Sequence, residues 1–427
     1  MQAIMRKYLK ETLKYLVRSK LLINKEIKEI ERLTLMNSKE LNAYKGQQFL
    51  KIFRKAITKS KFYRKFYTEA GITLEDITSL EDIQKLPILT KEILRKNTEL
   101  VPTQPSWLLV SANTNGTTGN PLRLYHSYKS IKKEQAYVFI NRKERGFTYG
   151  EPLVSLKGNL PKDMFKLKVH LSNTLHLSSF NLKNSYTEDY YREISKFTPK
   201  AIEGFPSSLY NLCLLLKEKD LQLHIPVAFT SSETLYDFQR ELIEETLNTK
   251  VYDYYGTTER SISLMEKLDR QGYTENPGYS INEYYINKII TTSLIKEGFP
   301  LIRYEVNDRI RFGENSSNPL FIQKIEGRTD DVVIAKDGSK IGRLDYLIRG
   351  INNIQNAQVV QENIGELTIN ILASKAFCEE DRNLILKKVD YYIGKDNMDI
   401  TINLVSEEEL IYTSGNKYKY LISKVDK

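Results

Sequence analysis

The stretch TNGTTGNP, which begins at Thr114, consists of small and uncharged residues and follows the apolar segment WLLVSA, which is typical of a β-strand. A strand that runs into glycines and hydroxyls presents side-chain donors and open backbone N–H groups, and these can converge on a phosphate. The Walker spacing is not met, because Asn120 stands where that motif has its lysine. Taken alone, the stretch also fits an ordinary β-turn, since Asn-Gly and Gly-Asn-Pro favour turns.

Four further segments carry polar residues that suit phosphate chemistry. They are VYDYYGTTER (251–260), PLIRYEVNDRIRF (300–312), IEGRTDDVVIAKDGSKI (325–341) and YTSGNKYKYLISKV (412–425). Each is a weak signal singly. Together, in this order and at these separations, the five segments resemble the adenylate-forming (acyl-CoA synthetase) superfamily, whose members activate carboxylates with ATP.

The resemblance is strongest to the phenylacetate–coenzyme A ligase branch and, within it, to the CapK-like proteins of bacterial capsular polysaccharide biosynthesis. It runs from about residue 105 to 425, and EGFPSSLYNL and AFTSSETLYDFQRELIEETLNTKVYDYYGTTE are particularly similar to that branch. It implies that a substrate carboxylate attacks the α-phosphorus of ATP and gives an acyl adenylate and pyrophosphate. The acyl group then passes to coenzyme A, or to an amino or hydroxyl group of a sugar, with Mg²⁺ as the expected metal ion.

The resemblance also implies a role for each nucleotide-binding segment. The loop at 114–119 would hold the β- and γ-phosphates, Tyr255 would stack on adenine, and the segment 232–233 would line the adenine edge. Asp308 would accept the ribose hydroxyls, with Arg328 beside the ribose and phosphates. The predicted nucleotide-binding residues are Thr114, Asn115, Gly116, Thr117, Thr118, Gly119, Ser232, Glu233, Tyr255, Gly256, Thr257, Asp308 and Arg328.

Three residues are the implied catalytic set. Thr258 would reach the α-phosphate, and Glu259 would help to hold Mg²⁺, a hard cation that prefers oxygen ligands. Lys417 would approach the α-phosphate and the attacking carboxylate, where its charge suits the charge that develops. Lys419 is the rival, two residues on and on the same face of a strand. Asp330 falls where the family has the hinge about which its tail domain rotates after adenylation.

Two departures from the family pattern keep an alternative open. Asn115 replaces the Ser or Thr common in the phosphate loop, and EVND replaces the usual Thr-Gly-Asp on the ribose side. The alternative is a nucleotide-binding homologue without turnover that acts as a partner in a biosynthetic complex. A second alternative is a nucleic-acid or membrane-surface binder that uses the basic N-terminal helices.

The elements that position these residues alternate between strands and helices from about residue 108 to 300, which predicts an α/β fold with mixed, largely parallel sheets. We expect an N-terminal helical region (1–105) packed on an ATP- and acyl-binding core (106–325), the two forming one large domain. A small, mobile α+β lid domain (326–427) follows. CEEDRNLILKKVDYYI, in the tail, is interpreted as a helix pair. Within the N-terminal region, the apolar stripe Ile4, Tyr8, Leu9, Leu13, Leu16 and Val17 is predicted to pack on the main domain.

Composition excludes several other classes of protein. Cys213 and Cys378 lie far apart and form no metal or disulfide motif, so a reducing cytoplasm is expected. No apolar run reaches about 18 residues, so no transmembrane segment is predicted, while peripheral contact with a membrane stays open. The net charge of +10 comes from basic residues that mostly alternate with acids, as on solvated helices, and no nucleic-acid-binding motif is present. The four histidines are not spaced as metal ligands, although His170 and His176 could share a strand face near an acyl pocket.

Overall fold

The structure is a computed structural model that describes residues 2–114, 122–156, 160, 164–179, 182, 184–285, 288–313, 322–328, 332–342, 344–348, 351, 353–394, 396–412 and 418–425. Its α-helices are α1 (Gln2–Arg18), α2 (Lys20–Thr34), α3 (Ser38–Lys59), α4 (Lys61–Glu69), α5 (Lys91–Asn97), α6 (Tyr128–Glu144), α7 (Thr187–Phe197), α8 (Pro206–Glu218), α9 (Asp237–Leu247) and α10 (Glu379–Tyr392). Short 3₁₀ turns lie at Glu81–Lys85, Thr98–Leu100, Ser106–Leu108, Asn184–Tyr186, Leu344–Leu347 and Glu407–Glu409. Thr90 caps the N-terminus of α5, because its side chain accepts a hydrogen bond from the Ile93 N–H.

The strands are β1 (Leu109–Asn113), β2 (Arg123–Ser127), β3 (Leu153–Leu156), β4 (Lys166–Val169), β5 (Thr174–Leu177), β6 (Ala201–Gly204), β7 (Val227–Ser231), β8 (Lys250–Gly256), β9 (Ser263–Glu266), β10 (Tyr273–Glu275), β11 (Ser280–Tyr285), β12 (Lys288–Ser293), β13 (Tyr304–Val306), β14 (Asp308–Phe312), β15 (Ile322–Arg328), β16 (Val332–Ile334), β17 (Lys340–Gly342), β18 (Ile354–Gln361), β19 (Glu366–Ala373), β20 (Asp399–Leu404) and β21 (Leu421–Ser423).

In the described part of the chain, ten strands form the main sheet, in the order β14-β15-β10-β9-β8-β7-β6-β3-β5-β4. The central pairings β5-β3, β3-β6, β6-β7 and β7-β8 are parallel, because each of β6, β7 and β8 follows a helix that returns the chain to the same end of the sheet. The outer pairings are antiparallel. The predicted α/β fold with mixed sheets is confirmed.

The N-terminal helices share one hydrophobic core with the strands. Phe49, Ile52 and Phe53 of α3 are fully buried in a cluster that also contains residues of β2, β12 and β13. Tyr63 of α4 fixes the contact by hydrogen bonds, since its hydroxyl donates to the Pro300 carbonyl at 3.0 Å and accepts the Ile302 N–H at 3.2 Å. The helical region is therefore tied to the segment that leads into β13.

Helix α1 lies on the protein with its polar side inward, which contradicts the predicted packing of its apolar stripe. Lys7, Glu11 and Lys14 lie on the covered side, and Glu11 pairs with both lysines at 3.0 and 2.8 Å. Tyr8 packs as expected, but Leu9, Leu13 and Leu16 are exposed, and the side chains of Ile4 and Val17 lie outside the described residues. Spacing alone identified an amphipathic helix but not which side meets the protein. Across the described residues, no helix has the length and apolarity needed to cross a bilayer.

The C-terminal part has a core of its own, built from residues between Val333 and Leu421. The sheet β20-β19-β18-β21 packs against α10 through Ile385 and Val389. The predicted helix pair in residues 378–393 is wrong: α10 is a single helix, because no Gly or Pro interrupts it before Gly394. The separate core agrees with the expected small domain, while the exact division of the chain at residue 326 stays a prediction.

Replacement of Tyr63 by Phe tests the attachment of the helical region. The change leaves the buried Pro300 carbonyl and Ile302 N–H without this partner, so the free energy of unfolding should fall by about 1–3 kcal/mol. Urea denaturation measures this change. Tyr128→Phe is the control, because Tyr128 is 60% exposed. A loss below about 0.5 kcal/mol, which is usual for surface changes, would show that the hydroxyl does not hold the two parts together.

Candidate active site

The carboxyl ends of β7 and β8 lie side by side in the sheet, since Ser231 is paired with Tyr254 in parallel register. In open α/β sheets ligands bind at this edge. The residues that follow β7 are Ser232 and Glu233, and those that follow β8 begin the sequence Thr-Thr-Glu. Ser232 has φ 74°, in the left-handed region that non-glycine residues rarely adopt, and such strain is concentrated at functional sites.

Tyr255 and Asp308, which are predicted to bind adenine and ribose, are in direct contact. The Tyr255 hydroxyl donates to Asp308 Oδ2 at 2.5 Å. Burial raises the pKa of Tyr255 well above its ordinary value, and the neighbouring Asp308 charge raises it further. Arg328 is paired with Asp308 across β14 and β15, although its side chain lies outside the described residues. The fold therefore brings three separately predicted residues to one place.

The loop of residues 257–261, which we call the Thr-Thr-Glu loop, is held by hydrogen bonds to its own backbone and to β12. Thr257 Oγ1 lies 3.0 Å from the Ser261 hydroxyl and accepts the Ser261 N–H. Ser293 and Thr291 of β12 donate to the carbonyls of Arg260 and Ser261, each at 2.8 Å. Arg260 has φ 54°, so the loop turns sharply directly after Glu259.

Glu259, the predicted metal ligand, is supported by two residues that the sequence analysis missed. Tyr304 donates its hydroxyl to Glu259 Oε1 at 3.3 Å, and Lys296 Nζ donates to the Glu259 carbonyl at 3.0 Å. Lys296 is only 1% exposed, and burial lowers its pKa well below the ordinary value, with Arg260 nearby adding to the effect. The only signal in the sequence was a lysine within the apolar segment SLIKEGFPLI.

The hairpin formed by β1 and β2 approaches the Thr-Thr-Glu loop through His126 of β2. At its base, Thr114 Oγ1 accepts the Leu122 N–H at 3.0 Å and the Thr114 N–H donates to the Leu122 carbonyl. His126 of β2 is buried close to the backbone of Thr258. Burial lowers the pKa of His126, so its ring is neutral. The phosphate-loop residues Asn115, Gly116, Thr117, Thr118 and Gly119 lie outside the described residues, and their role stays a prediction.

Glu233 joins the sheet edge to the C-terminal part of the chain. Its Oε2 accepts the Ser207 N–H at the start of α8, at 3.2 Å, and its Oε1 accepts the Tyr418 N–H at 3.1 Å. Lys417 and Asp330 lie outside the described residues. Lys419, the rival lysine, is among the described residues, and its backbone carbonyl accepts a hydrogen bond from the Gln358 side chain at 2.8 Å.

The metal-ligating side chains of the candidate site are compatible with Mg²⁺ that is bound together with a nucleotide. Among the described residues no cluster of three His, Cys, Asp or Glu side chains is present, so a metal cage made by the protein alone is not seen there. Mg²⁺ at phosphate sites commonly takes only one or two carboxylates, together with phosphate oxygens and water. Glu259 would supply that carboxylate.

A cavity of about 390 Å³ lies beside this edge of the sheet. Its walls come from α1, α6 and strands β3 and β5–β9. Tyr252 and Tyr254 of β8 face it, whereas Tyr255 belongs to the other face, because side chains alternate along a strand. Arg142 and Glu203 form a partly buried ion pair in its wall, and His176 Nδ1, which is buried there, has no partner among the described residues.

Known proteins resemble this chain both in sequence and in fold. Residues 333–424 match the family model of the CapK C-terminal domain. The chain is 24% identical to Protein CapK of Staphylococcus aureus, over 93% of this chain and 92% of that protein. It is 25% identical to phenylacetate-coenzyme A ligase of Escherichia coli (strain K12), over 70% of this chain and 73% of that enzyme. Among solved structures, 2-hydroxyisobutyryl-CoA ligase in the postadenylation state, in complex with R3-HIB-AMP, gives a TM-score of 0.70 at 17% identity, covering 91% of this chain and 90% of that chain.

The structural match shows the fold of the adenylate-forming CoA ligases. The sequence matches confirm the resemblance predicted from the five segments, to the phenylacetate–coenzyme A ligase branch and to CapK within it. Together they support the expected class of protein, an AMP-forming ligase.

Lys296→Met tests the buried lysine through the pH dependence of stability. Because the pKa of Lys296 is lowered by folding, the unfolded chain binds more protons between that lowered value and the ordinary 10.5, so the free energy of unfolding rises with pH in this window. Met removes this dependence. The stability of the wild type minus that of the variant should therefore increase from about pH 7 to about pH 10 in denaturant titrations. Lys65→Met, at an exposed position of α4, controls for loss of a lysine. If the difference in stability between the wild type and Lys296→Met is the same at both pH values, the pKa of Lys296 is not lowered by folding.

Proposed function

We propose that the protein is an ATP-dependent acid ligase that forms an acyl adenylate, AMP-forming overall, and then transfers the acyl group to coenzyme A or to an amino or hydroxyl group of a sugar. The observation that carries this proposal is the hydrogen bond between Tyr255 and Asp308, beside the Thr-Thr-Glu loop. This hydrogen bond joins two residues that are 53 positions apart in the chain. The family resemblance implies that each of them binds the nucleotide.

The first step needs alignment and charge stabilisation rather than a protein nucleophile. An oxygen of the substrate carboxylate forms a bond to the α-phosphorus, and the bond from that phosphorus to the pyrophosphate oxygen breaks. Tyr255 and Asp308 would orient the nucleoside, with Arg328, Gly256, Thr257, Ser232 and Glu233 beside it. Thr258 would donate its hydroxyl to the α-phosphate. Mg²⁺ held through Glu259 would neutralise phosphate charge.

The contact between Glu233 and Tyr418 supports Lys417 as the catalytic lysine. Lys417 directly precedes Tyr418 in the sequence, and the Tyr418 N–H is bonded to a residue of the proposed nucleotide site. The comparison with 2-hydroxyisobutyryl-CoA ligase agrees with this arrangement, since the TM-score is 0.70 for its postadenylation state and 0.55 for its thioesterification state, at equal coverage. We propose that the C-terminal part rotates about Asp330 between the two half-reactions.

The cavity beside β8 is proposed to receive the acid. Ser231 and Tyr254, which immediately precede Ser232 and Tyr255, line it, so an acid in the cavity would lie close to the proposed nucleotide site. The wall combines aromatic rings with the ion pair between Arg142 and Glu203. The Glu203 carboxylate also accepts a hydrogen bond from the Ser155 hydroxyl at 2.9 Å, so it is already paired within the protein. Burial keeps His176 neutral by lowering its pKa.

The relation to CapK of Staphylococcus aureus supports a role in capsule or surface polysaccharide synthesis, with a sugar as one of the two proposed acceptors. Cys213 and Cys378 are both free thiols, in keeping with the proposed cytoplasmic location, where ATP and coenzyme A are available. A pyrophosphate-release screen across aryl, short-chain, hydroxy and amino acids, with and without coenzyme A, tests the activity. Binding of ATP without pyrophosphate release for every acid would favour a homologue without turnover.

The two C-terminal lysines can be separated by matched substitutions. Lys417→Ala should lower the rate of acid-dependent ATP–pyrophosphate exchange by about a hundredfold or more, because one charge-stabilising group is lost from the transition state. ATP affinity should change little. Lys419→Ala is the control and should keep most of the exchange. Loss of exchange in Lys419→Ala alone would transfer the role to Lys419, and loss in neither would remove both lysines from the mechanism.

Enlarging a side chain in the cavity wall tests the acid site. Val138 of α6 lines the cavity, and Val138→Trp would fill part of it. The KM for the acid should rise by about tenfold or more, which corresponds to about 1.4 kcal/mol, while ATP binding stays unchanged. Leu384→Trp, at an exposed position of α10, is the control. An unchanged KM for the acid would place its site elsewhere.

A further inference from the structure

Helix α1 and the first turn of α2 expose a continuous strip of large apolar side chains. This apolar strip consists of Met5, Leu9, Leu13, Leu16, Leu21 and Leu22, whose exposed fractions range from 44% to 88%. On a helical projection the four residues of α1 lie on one side, since they are spaced by four, four and three positions. Contiguous apolar surface of this kind marks an interaction site, whereas isolated exposed leucines do not.

The orientation of α1 is set by its opposite side. Tyr8 packs on a small cluster with Leu167 and Val169, and Glu11, Lys14 and Tyr15 form part of the cavity wall. Although burial opposes it, hydrogen bonds from Lys14 and Lys7 lower the pKa of Glu11 to about 2. Glu11 therefore stays charged and paired on the covered side, and the apolar strip faces away from the protein.

The charge beside the strip has one sign. Arg6 and Lys10 of α1 and Lys20 of α2 are exposed next to it, whereas Glu11, the only acidic residue of α1, is paired on the covered side. Two copies of the chain that met through this strip would bring cations against cations. An anionic lipid surface would neutralise these cations and accept the leucines at the same time.

We propose that α1 and the start of α2 dock the protein on an anionic membrane surface, with the apolar strip inserted among the lipids and the adjacent cations at the phosphate level. The helix lies parallel to the bilayer, because its other side remains packed on the protein. This surface lies on the outer side of the helix that walls the cavity, and it is independent of whether that cavity binds an acid.

Sedimentation of the full-length protein with lipid vesicles tests the proposal. We expect binding to vesicles of phosphatidylcholine containing one-third phosphatidylglycerol, and much weaker binding to phosphatidylcholine alone. The double variant Leu9→Ser, Leu13→Ser should bind about tenfold or more weakly, because two apolar anchors are lost. The double variant Leu268→Ser, Leu404→Ser is the matched control, since these leucines are 56% and 57% exposed on other surfaces.

A second variant separates charge from apolar insertion. Arg6→Glu, Lys10→Glu should weaken binding to the anionic vesicles mainly at low salt, where surface charges are least screened. Circular dichroism checks that all variants fold. Equal binding to both kinds of vesicle, or to neither, overturns the proposal. It is also overturned if the wild type is a dimer by light scattering and Leu9→Ser, Leu13→Ser is a monomer, because the strip would then join two copies.

Discussion

The position of the Thr-Thr-Glu loop depends on a lysine that folding has removed from water. Lys296 is buried, and its Nζ donates to the carbonyl of Glu259. An amine in such a place is costly unless it is hydrogen-bonded, so the buried lysine and the loop carbonyl stabilise each other's positions. Tyr304 supports the Glu259 side chain in the same way. The Glu259 carboxylate therefore lies on a loop held in place by these two hydrogen bonds, which suits its proposed role of binding a metal ion beside phosphates in a defined geometry.

The same region shows what could be predicted from the sequence. The alternation of strands and helices between residues 109 and 256, and with it the α/β fold, was predictable because apolar runs, helical spacing and turn residues agree with one another there, although β4, β5 and α7 were not predicted. Tyr255, Asp308 and Glu259 were predicted through the family resemblance of their segments; the fold places them near one another, and their roles stay predictions. Lys296 and His126 could not be found in this way, because their importance comes from contacts with Glu259 and Thr258 that only the folded chain creates.

Helix α1 shows a different limit. Its apolar periodicity was read correctly, but periodicity does not say whether the apolar side or the polar side meets the protein. The outcome was decided by Glu11, which can satisfy Lys7 and Lys14 together at the cavity wall. The charged side of α1 can face the protein because its charges are paired with one another. The leucines on the opposite side of the helix are left exposed.

The link between Glu233 and Tyr418 has a strength that would suit the proposed rotation, in which this contact would form and break. A backbone N–H donating to a carboxylate contributes only about 1.5–3 kcal/mol net, since water replaces the partner on opening. This bond and the ring contact between Tyr236 and Tyr420, whose centroids are 5.8 Å apart, join the C-terminal segment to the edge of the main sheet. Glu233 also accepts the Ser207 N–H at the start of α8, so its carboxylate stays oriented when the C-terminal partner leaves. An arrangement of this kind would suit the proposed rotation of the C-terminal part, because the fixed half of the contact belongs to the sheet edge.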